Sequence, residues 1–449
     1  MSINTLFRQV DDGAHEVVEL LQALVRIPSV NTGTTPTGNE TPVAEYARDW
    51  LSRESITAEV IESELSRGSL VARMQGRSPD NGLLMMSHLD VVPVENENKW
   101  RFAPFSGTLH EGKVYGRGAS DCKALLAAQM YAMAVLKRSH VSLTEGLVLA
   151  SGADEEHGGR RGFGWLSQHC PEKIRARYAV NEGGGYPVST PSGPAYMLNL
   201  GEKGRIQIEI TIRGASAHAA LPWTGDNPFF RLSEVLRRLQ AYAPVLDTSS
   251  EMFGCVSLYG IDVRPTPENI DDILATLEGH DKLAAVILRA ASRLTITPTM
   301  VKGGVKSNSV PDSIRLTCDV RTLPYQSAGY VRAELAGLLE GLPDIDVEMD
   351  VMGVSNASPW KSPFVDLIKR ATVLATGRQD IHFIPGLCVG FSDSRFMRPL
   401  GVDTYDFEGM HPDEDALKCN VHGTDEYTSV ASLLIKCKTM LALAHETLV

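Results

Sequence analysis

The sequence predicts an α/β protein with a mixed, largely parallel sheet flanked by helices and a smaller α+β unit inserted into it. Three observations point there. Up to about Gly201, short apolar runs ending in polar residues alternate with helical patterns, which is how strands buried on both faces and their crossover helices read. Beyond it the strands alternate polar and apolar residues, as half-exposed antiparallel strands do. After Val354 the first pattern resumes. At 449 residues the chain is too long for one ordinary core. The expected division is 1–203 and 354–449 for the larger domain and 204–353 for the insertion.

In chain order, Val17, Val18, Leu20, Leu21, Leu24 and Val25 make one helical face that Pro28 ends. "NETPVAEYARDWLSRE" repeats the pattern. The runs "SLVARMQG", "GLLMMSHLDVV" and "LVLASGAD" read as strands, with the helix "CKALLAAQMYAMAVLKRS" between the last two. Within the insertion, "RIQIEITIRG", "SIRLTCDVRTLP" and "DIDVEMDVMG" read as strands. "NPFFRLSEVLRRLQAY" and "SAGYVRAELAGLLEGL" read as helices, an order that resembles a small ferredoxin-like sandwich. The stretch 246–298 has helical content, "IDDILATLEG" and "KLAAVILRAASRL", but its pattern does not give it a place. "SPFVDLIKRATVLATG" and "YTSVASLLIKCKTMLALAHETL" complete the larger domain as helices.

A net charge of −12 argues against a nucleic-acid partner, because phosphate binding wants a basic face. Seven scattered cysteines without a Cys-x-x-Cys pair predict a reduced, cytoplasmic chain and not a disulfide scaffold or thiolate zinc site. The N-terminus lacks a basic start followed by an apolar block, and no run is long and apolar enough to span a membrane. A membrane partner is therefore not expected.

The polar groups at the run ends carry the chemistry. His88 and Asp90 stand two apart at a strand end, so their side chains share a face. They fit a metal-bound imidazole steadied by a carboxylate, or a polar pair capping a strand. Asp121 follows the glycine turn "YGRGAS" and precedes a helix, where it fits either a carboxylate bridging two metals or an ordinary N-cap. Glu155 and Glu156 are adjacent and cannot point the same way on a strand. Glu156 suits a ligand and Glu155 a general base acting on metal-bound water; a solvated acidic loop is the plain alternative. His157 reads as a loop residue. Glu182 in "NEGGG" and His422 in "VHGTDE" are weak alone. Ligand types at the ends of several different strands are much harder to explain by chance.

In order, "SHLDVVP", "GRGASDCKA", "ADEEHGG", "NEGGG" and "VHGTDE" resemble the dinuclear zinc hydrolases that include aminoacylase, acetylornithine deacetylase, succinyl-diaminopimelate desuccinylase and glutamate carboxypeptidase. "LVRIPSVN", "GASAHAALPWTGDNP" and "DVRTLP" match as well, so the resemblance spans essentially the whole chain. It implies a zinc-peptidase-like catalytic domain and an inserted lid and dimerisation domain. It implies two Zn2+ per chain, at ligands that also accept Co2+ or Mn2+. Asp121 would bridge the ions, His88 and Glu182 would complete one site, and Glu156 and His422 the other. Asp90 would orient His88, Glu155 would be the base, and the Asp121–Cys122 peptide would be cis. His218 would stabilise the oxyanion, from the other subunit in dimeric relatives. Asn308, Arg321 and Gly390 would hold substrate; a salt bridge inside the lid is the alternative for Arg321. Ala124, Cys122 and Phe391-Ser392 depart from the family's common residues without removing a ligand.

The expected activity is hydrolysis of an amide bond in a small carboxylate-bearing substrate, a short peptide or an N-acyl amino acid. The alternative within the family is a deacylase of the acetylornithine or succinyl-diaminopimelate type. A non-catalytic metal-binding or regulatory module, or a metal-free small-molecule binder, is the reading from another class. The presence of Glu155 speaks against the module, and bound metal would exclude the metal-free binder. A homodimer through the lid is the expected assembly.

Overall fold

The computed structural model describes residues 1–33 and 37–449. The chain forms two compact units. One comprises Met1–Gly201, Ser358–Gly386 and Ser392–Val449; the other comprises Glu202–Ala357 and Leu387–Phe391.

The first unit is built on a mixed sheet with strands in the order Thr57–Glu62, Gly68–Met74, Gly146–Gly152, Asn81–His88, Tyr178–Asn181, Asp403–Asp406 and Gly193–Glu202. The middle of the sheet is parallel: Asn81–His88 pairs in parallel with both Gly146–Gly152 and Tyr178–Asn181, and Tyr178–Asn181 with Asp403–Asp406. The flanking ladders are antiparallel. Gly146–Gly152 is buried throughout and Asn81–His88 in all but its first residue, which is why both read as continuous apolar runs. In Lys123–Arg138, Lys123 to Leu136 are all buried, as a helix apolar on nearly every side must be. Val430–Leu448 packs on it, and Pro363–Thr376 packs on Val430–Leu448. The ends of these two outer helices are written in the sequence. Ser429 and Ser362 cap their first turns, Pro363 takes the first helical position, and Gly377 closes the second helix at φ 70°.

The second unit holds a four-stranded antiparallel sheet in the order Thr295–Gly303, Ser313–Thr322, Gly204–Arg213 and Ile345–Gly353. Ile206, Ile208, Ile210 and Ile212 lie on one face of Gly204–Arg213. They pack with Leu232 and Val235 of Pro228–Gln240 and with Val331 and Leu335 of Ala328–Leu339. The 246–298 stretch makes a separate apolar cluster from the turns Glu251–Tyr259 and the helices Ile270–Glu278 and Lys282–Ala291. Its last residues belong to the edge strand Thr295–Gly303. There Pro298 sits at a bulge, a position that tolerates the missing N–H donor and hides the strand in the sequence.

Leu126 is fully buried in the helix under the sheet. Leu126→Ala is expected to cost about 2–5 kcal/mol, read as a lowered urea midpoint of the first unit. A loss under about 1 kcal/mol would contradict the close packing described there.

Candidate active site and metal centre

Parallel pairing brings the carboxyl ends of three strands together. His88 ends its strand opposite Gly152, the last residue of Gly146–Gly152, and Glu182 follows the neighbouring Tyr178–Asn181. This edge of a parallel sheet is where ligands bind. From Gly152 the chain turns through Asp154, held at φ 68°, into Glu155 and Glu156. Asp121 lies just before the helix Lys123–Arg138, on a cis Asp121–Cys122 peptide, and His422 enters from a loop at φ 61°.

Five side chains meet. His88 Nε2 lies 2.9 Å from Asp121 Oδ1 and 3.3 Å from Glu182 Oε2. His422 Nε2 lies 3.1 Å from Asp121 Oδ2 and 3.2 Å from Glu156 Oε2. The two oxygens of Asp121 therefore face different histidines. His88, Asp121 and Glu156, and His88, Cys122 and Glu182, each place ligand atoms within 4.8 Å of one another.

The cluster carries more negative charge than its surroundings solvate. Burial, together with the Asp121 charge and against the attraction of His88, pushes Glu182 up to about 8. Burial raises Glu156, and burial and Glu182 push Glu155 well above the usual carboxylate range. Burial works against the Asp121 charge as well, yet hydrogen bonds from His422 and His88 hold its carboxyl far below the ordinary range. Hydrogen bonds to Asp121 and Glu156 raise His422 to about 10. A carboxylate and imidazole set this crowded wants divalent cations, and its oxygen and nitrogen donors are those that zinc accepts. The residues fit such ions.

Asp90 does more than the sequence assigns to it. Its carboxylate accepts the backbone N–H of Glu155 and of Glu156, each at 3.1 Å, and Asn31 Nδ2 at 2.9 Å. The nearest partner of His88 Nδ1 is the Asp90 carbonyl at 3.0 Å, with the carboxylate at 3.5 Å. Asp90 thus ties the strand carrying His88 to the loop carrying the two glutamates. His157 is exposed and its ring lies against Gly33, outside the cluster.

Several supporting residues escape sequence reasoning. Buried Glu426 accepts the N–H groups of Ser120 and Asp121 on one oxygen, and Gly118 N–H and Arg117 Nη1 on the other. Its place in "VHGTDE" is the only hint. Arg67 forks onto Glu40 at 2.8 and 2.7 Å and reaches Asp154 at 2.9 Å. Arg395 Nη2 donates to Gly158 O at 2.6 Å, just past Glu156.

The remaining predicted residues lie in the second unit. His218 is exposed and pairs with Ser309 across a short ribbon; Ala219 N–H donates to Asn308 O at 3.0 Å, so His218 and Asn308 are neighbours. Arg321 makes the lid salt bridge, Nε to Asp319 Oδ1 at 2.7 Å, while its Nη1 donates to Val389 O at 3.3 Å beside Gly390.

An α/β unit with imidazoles and carboxylates gathered at the carboxyl edge of its parallel strands has the chemistry of a metal-dependent hydrolase of amide bonds. The chain belongs to the peptidase family M20/M25/M40, whose profile matches residues 84–446. It is 24% identical to a probable succinyl-diaminopimelate desuccinylase of Staphylococcus aureus over 434 residues, 94% of this chain and 97% of that protein. It is 25% identical to the human N-fatty-acyl-amino acid synthase/hydrolase PM20D1, over 95% of this chain and 86% of that protein. Its fold is similar to that of an M20 family metallo-carboxypeptidase from Sulfolobus solfataricus, with TM-score 0.71 and 19% identity over 96% of this chain and 99% of the other.

Two predictions follow from this geometry. Glu426→Gln should fold normally and lower metal affinity about 10–100-fold, measured by competition with a chromogenic chelator; unchanged affinity would remove its positioning role. The second concerns pH. His422 is raised from 6.5 to about 10 and Glu182 from 4.5 to about 8. A raised group stabilises fully below its unfolded value and loses that contribution as pH rises through its folded one. The metal-free protein should therefore lose thermal stability as pH rises from about 4.5 to 10, most steeply between 6.5 and 8 where both groups contribute, and added metal should flatten that decline. A chelated protein whose melting temperature rises across that window would contradict the cluster's charge balance.

Proposed function

We propose that the chain hydrolyses the amide bond of a short peptide or N-acyl amino acid bearing a free carboxylate, at two divalent cations, zinc in the first instance. The observation that carries this reading is Asp121, whose two carboxylate oxygens each face a different histidine. Asp121 would hold both ions, His88 and Glu182 would complete one site, and Glu156 and His422 the other. Bound there, the ions supply Lewis acidity and an activated water.

The protein's own groups do the rest. Glu155 takes a proton from the attacking water and returns it to the leaving nitrogen; its raised proton affinity suits both tasks. Asp90, through the two backbone N–H groups it accepts, holds Glu155 and Glu156 at fixed places. His218 stabilises the oxyanion. Asn308 and Gly390 hold the substrate, and Arg321 takes its carboxylate, a geometry that guanidinium suits. The second unit would also join two copies as a homodimer. No disulfide joins any of the seven cysteines, which supports a reducing, cytoplasmic setting.

The name of the staphylococcal relative favours a second reading, deacylation of an N-succinyl or N-acetyl diamino acid. The deciding experiment measures metal content and hydrolysis on one preparation, before and after chelation. Dipeptides, N-acyl amino acids and N-succinyl diamino acids make up the panel. About two ions per chain and zinc-restored cleavage of the first two groups support the proposal; cleavage confined to the third supports the second reading. A folded protein that rejects zinc contradicts both.

Glu155→Gln should retain its metal and lose at least about a hundredfold in turnover; near-normal turnover would remove the general-base role. His218→Ala should be slow with full metal content. Recovery of activity on mixing it with His422→Ala would show that His218 acts across subunits, whereas absence of recovery would place it within one chain or in subunits that do not exchange.

A further inference from the structure

The 246–298 stretch is the part of the chain that the proposed reaction does not use. Its apolar cluster, which includes Met252, Phe253, Leu274 and Leu288, takes in two residues from elsewhere in the second unit, Leu323 and Leu387. Leu323 lies two residues after Arg321. Leu387 opens the segment 387–391 that contains Gly390.

A second connection is polar. Lys203 is only 2% exposed, and its Nζ donates to Ala290 O at 2.6 Å and Arg293 O at 2.7 Å, where the helix Lys282–Ala291 ends. Carbonyls at a helix C-terminus lack intrahelical partners, and a cation there is favoured by the dipole. Burial, with the nearby charges of Arg321 and Arg293, pushes Lys203 down to about 7, and the two carbonyl contacts are what hold the amine there. Arg293 is itself anchored to Asp271 at 2.6 Å, which ties the helix end back to the preceding helix of the insertion.

Both connections lead to one place. The backbone N–H of Lys203 donates to Cys388 O at 2.9 Å, and Arg321 Nη1 donates to Val389 O at 3.3 Å. Leu387, Cys388 and Val389 are therefore held in turn by the insertion's core, by Lys203 and by Arg321. Gly390 follows directly, and a Cβ added there would meet only Cys388 Sγ, at 3.7 Å.

We propose that the 246–298 stretch is a specificity element, and that Lys203 and Leu387 are the positioning residues through which it sets the 387–391 segment and the Arg321 guanidinium against the carboxylate of the substrate. The proposal rests on the assignment of Arg321 to that carboxylate made above. It assigns the 246–298 stretch to recognition of the free acid.

The test compares an N-acyl amino acid with its carboxamide, as the ratio of kcat/KM values, in holoenzyme of checked metal content and melting temperature. Wild type should prefer the acid. Lys203→Met, which keeps length but removes the donors, should lower that preference about tenfold, the scale of one hydrogen bond to a charged group, through a higher KM for the acid and an unchanged rate on the carboxamide. Lys203→Arg should restore most of it. Leu387→Ala should act as Lys203→Met does, and carries the test should Lys203→Met not fold. Arg321→Met should abolish the preference, and Lys203→Met added to it should change nothing further, the signature of two residues acting through one contact. Variants that lose acid and carboxamide hydrolysis equally, with the preference intact, overturn the insertion's role and leave the Arg321 assignment standing. A wild type that cleaves both compounds alike overturns the assignment and the proposal with it.

Discussion

The structure depends on keeping like charges together. Asp121, Glu155, Glu156 and Glu182 gather around two imidazoles, and burial, with the neighbouring carboxylates, raises the proton affinities of three of these carboxyls. Such a cluster stays assembled only if the backbone carrying it is fixed by other means. Three buried carboxylates do this, and none of them belongs to the cluster. Asp90 accepts the N–H groups of Glu155 and Glu156, Glu426 accepts those of Ser120 and Asp121, and Asp154 is held by Arg67. Their charges are met by backbone N–H groups, by the Asn31 amide and by the Arg67 and Arg117 guanidinium groups. The cluster is left attractive to divalent cations.

The sheet explains why this is affordable. Loops at the carboxyl edge of parallel strands start from a common line, so His88, Glu155, Glu156 and Glu182 converge without long excursions of chain. Beneath them the largely apolar helix Lys123–Arg138 fills the interior, and Gln129, a polar residue inside it, donates to Met86 O at 2.7 Å. The rigid layer below lets the loops above carry strained residues, such as Asp154 and His422 at positive φ.

Much of this was legible in the sequence, and the limit has a physical form. Whatever depends on local periodicity can be read from it: the buried strands, the alternation in Gly204–Arg213, and polar residues at run ends such as His88 and Glu182. Contacts between residues far apart in the chain cannot. Beyond its place in "VHGTDE", nothing near Glu426 announces that it binds the backbone at Ser120 and Asp121, some three hundred positions away. Arg67 and Glu40 sit in a strand approach and a helix start that look ordinary. The role of Asp90 was half legible, because its spacing from His88 is local while its bonds to Glu155 and Glu156 are not. The strand Thr295–Gly303 was hidden for a different reason: Pro298 breaks its pattern, and its residues past the first two are exposed.

The most direct test of the account is anomalous X-ray scattering at the zinc edge from zinc-loaded crystals. Two peaks are expected to flank Asp121, one beside His88 and Glu182 and the other beside Glu156 and His422. A single peak, or zinc bound away from Asp121, would contradict it.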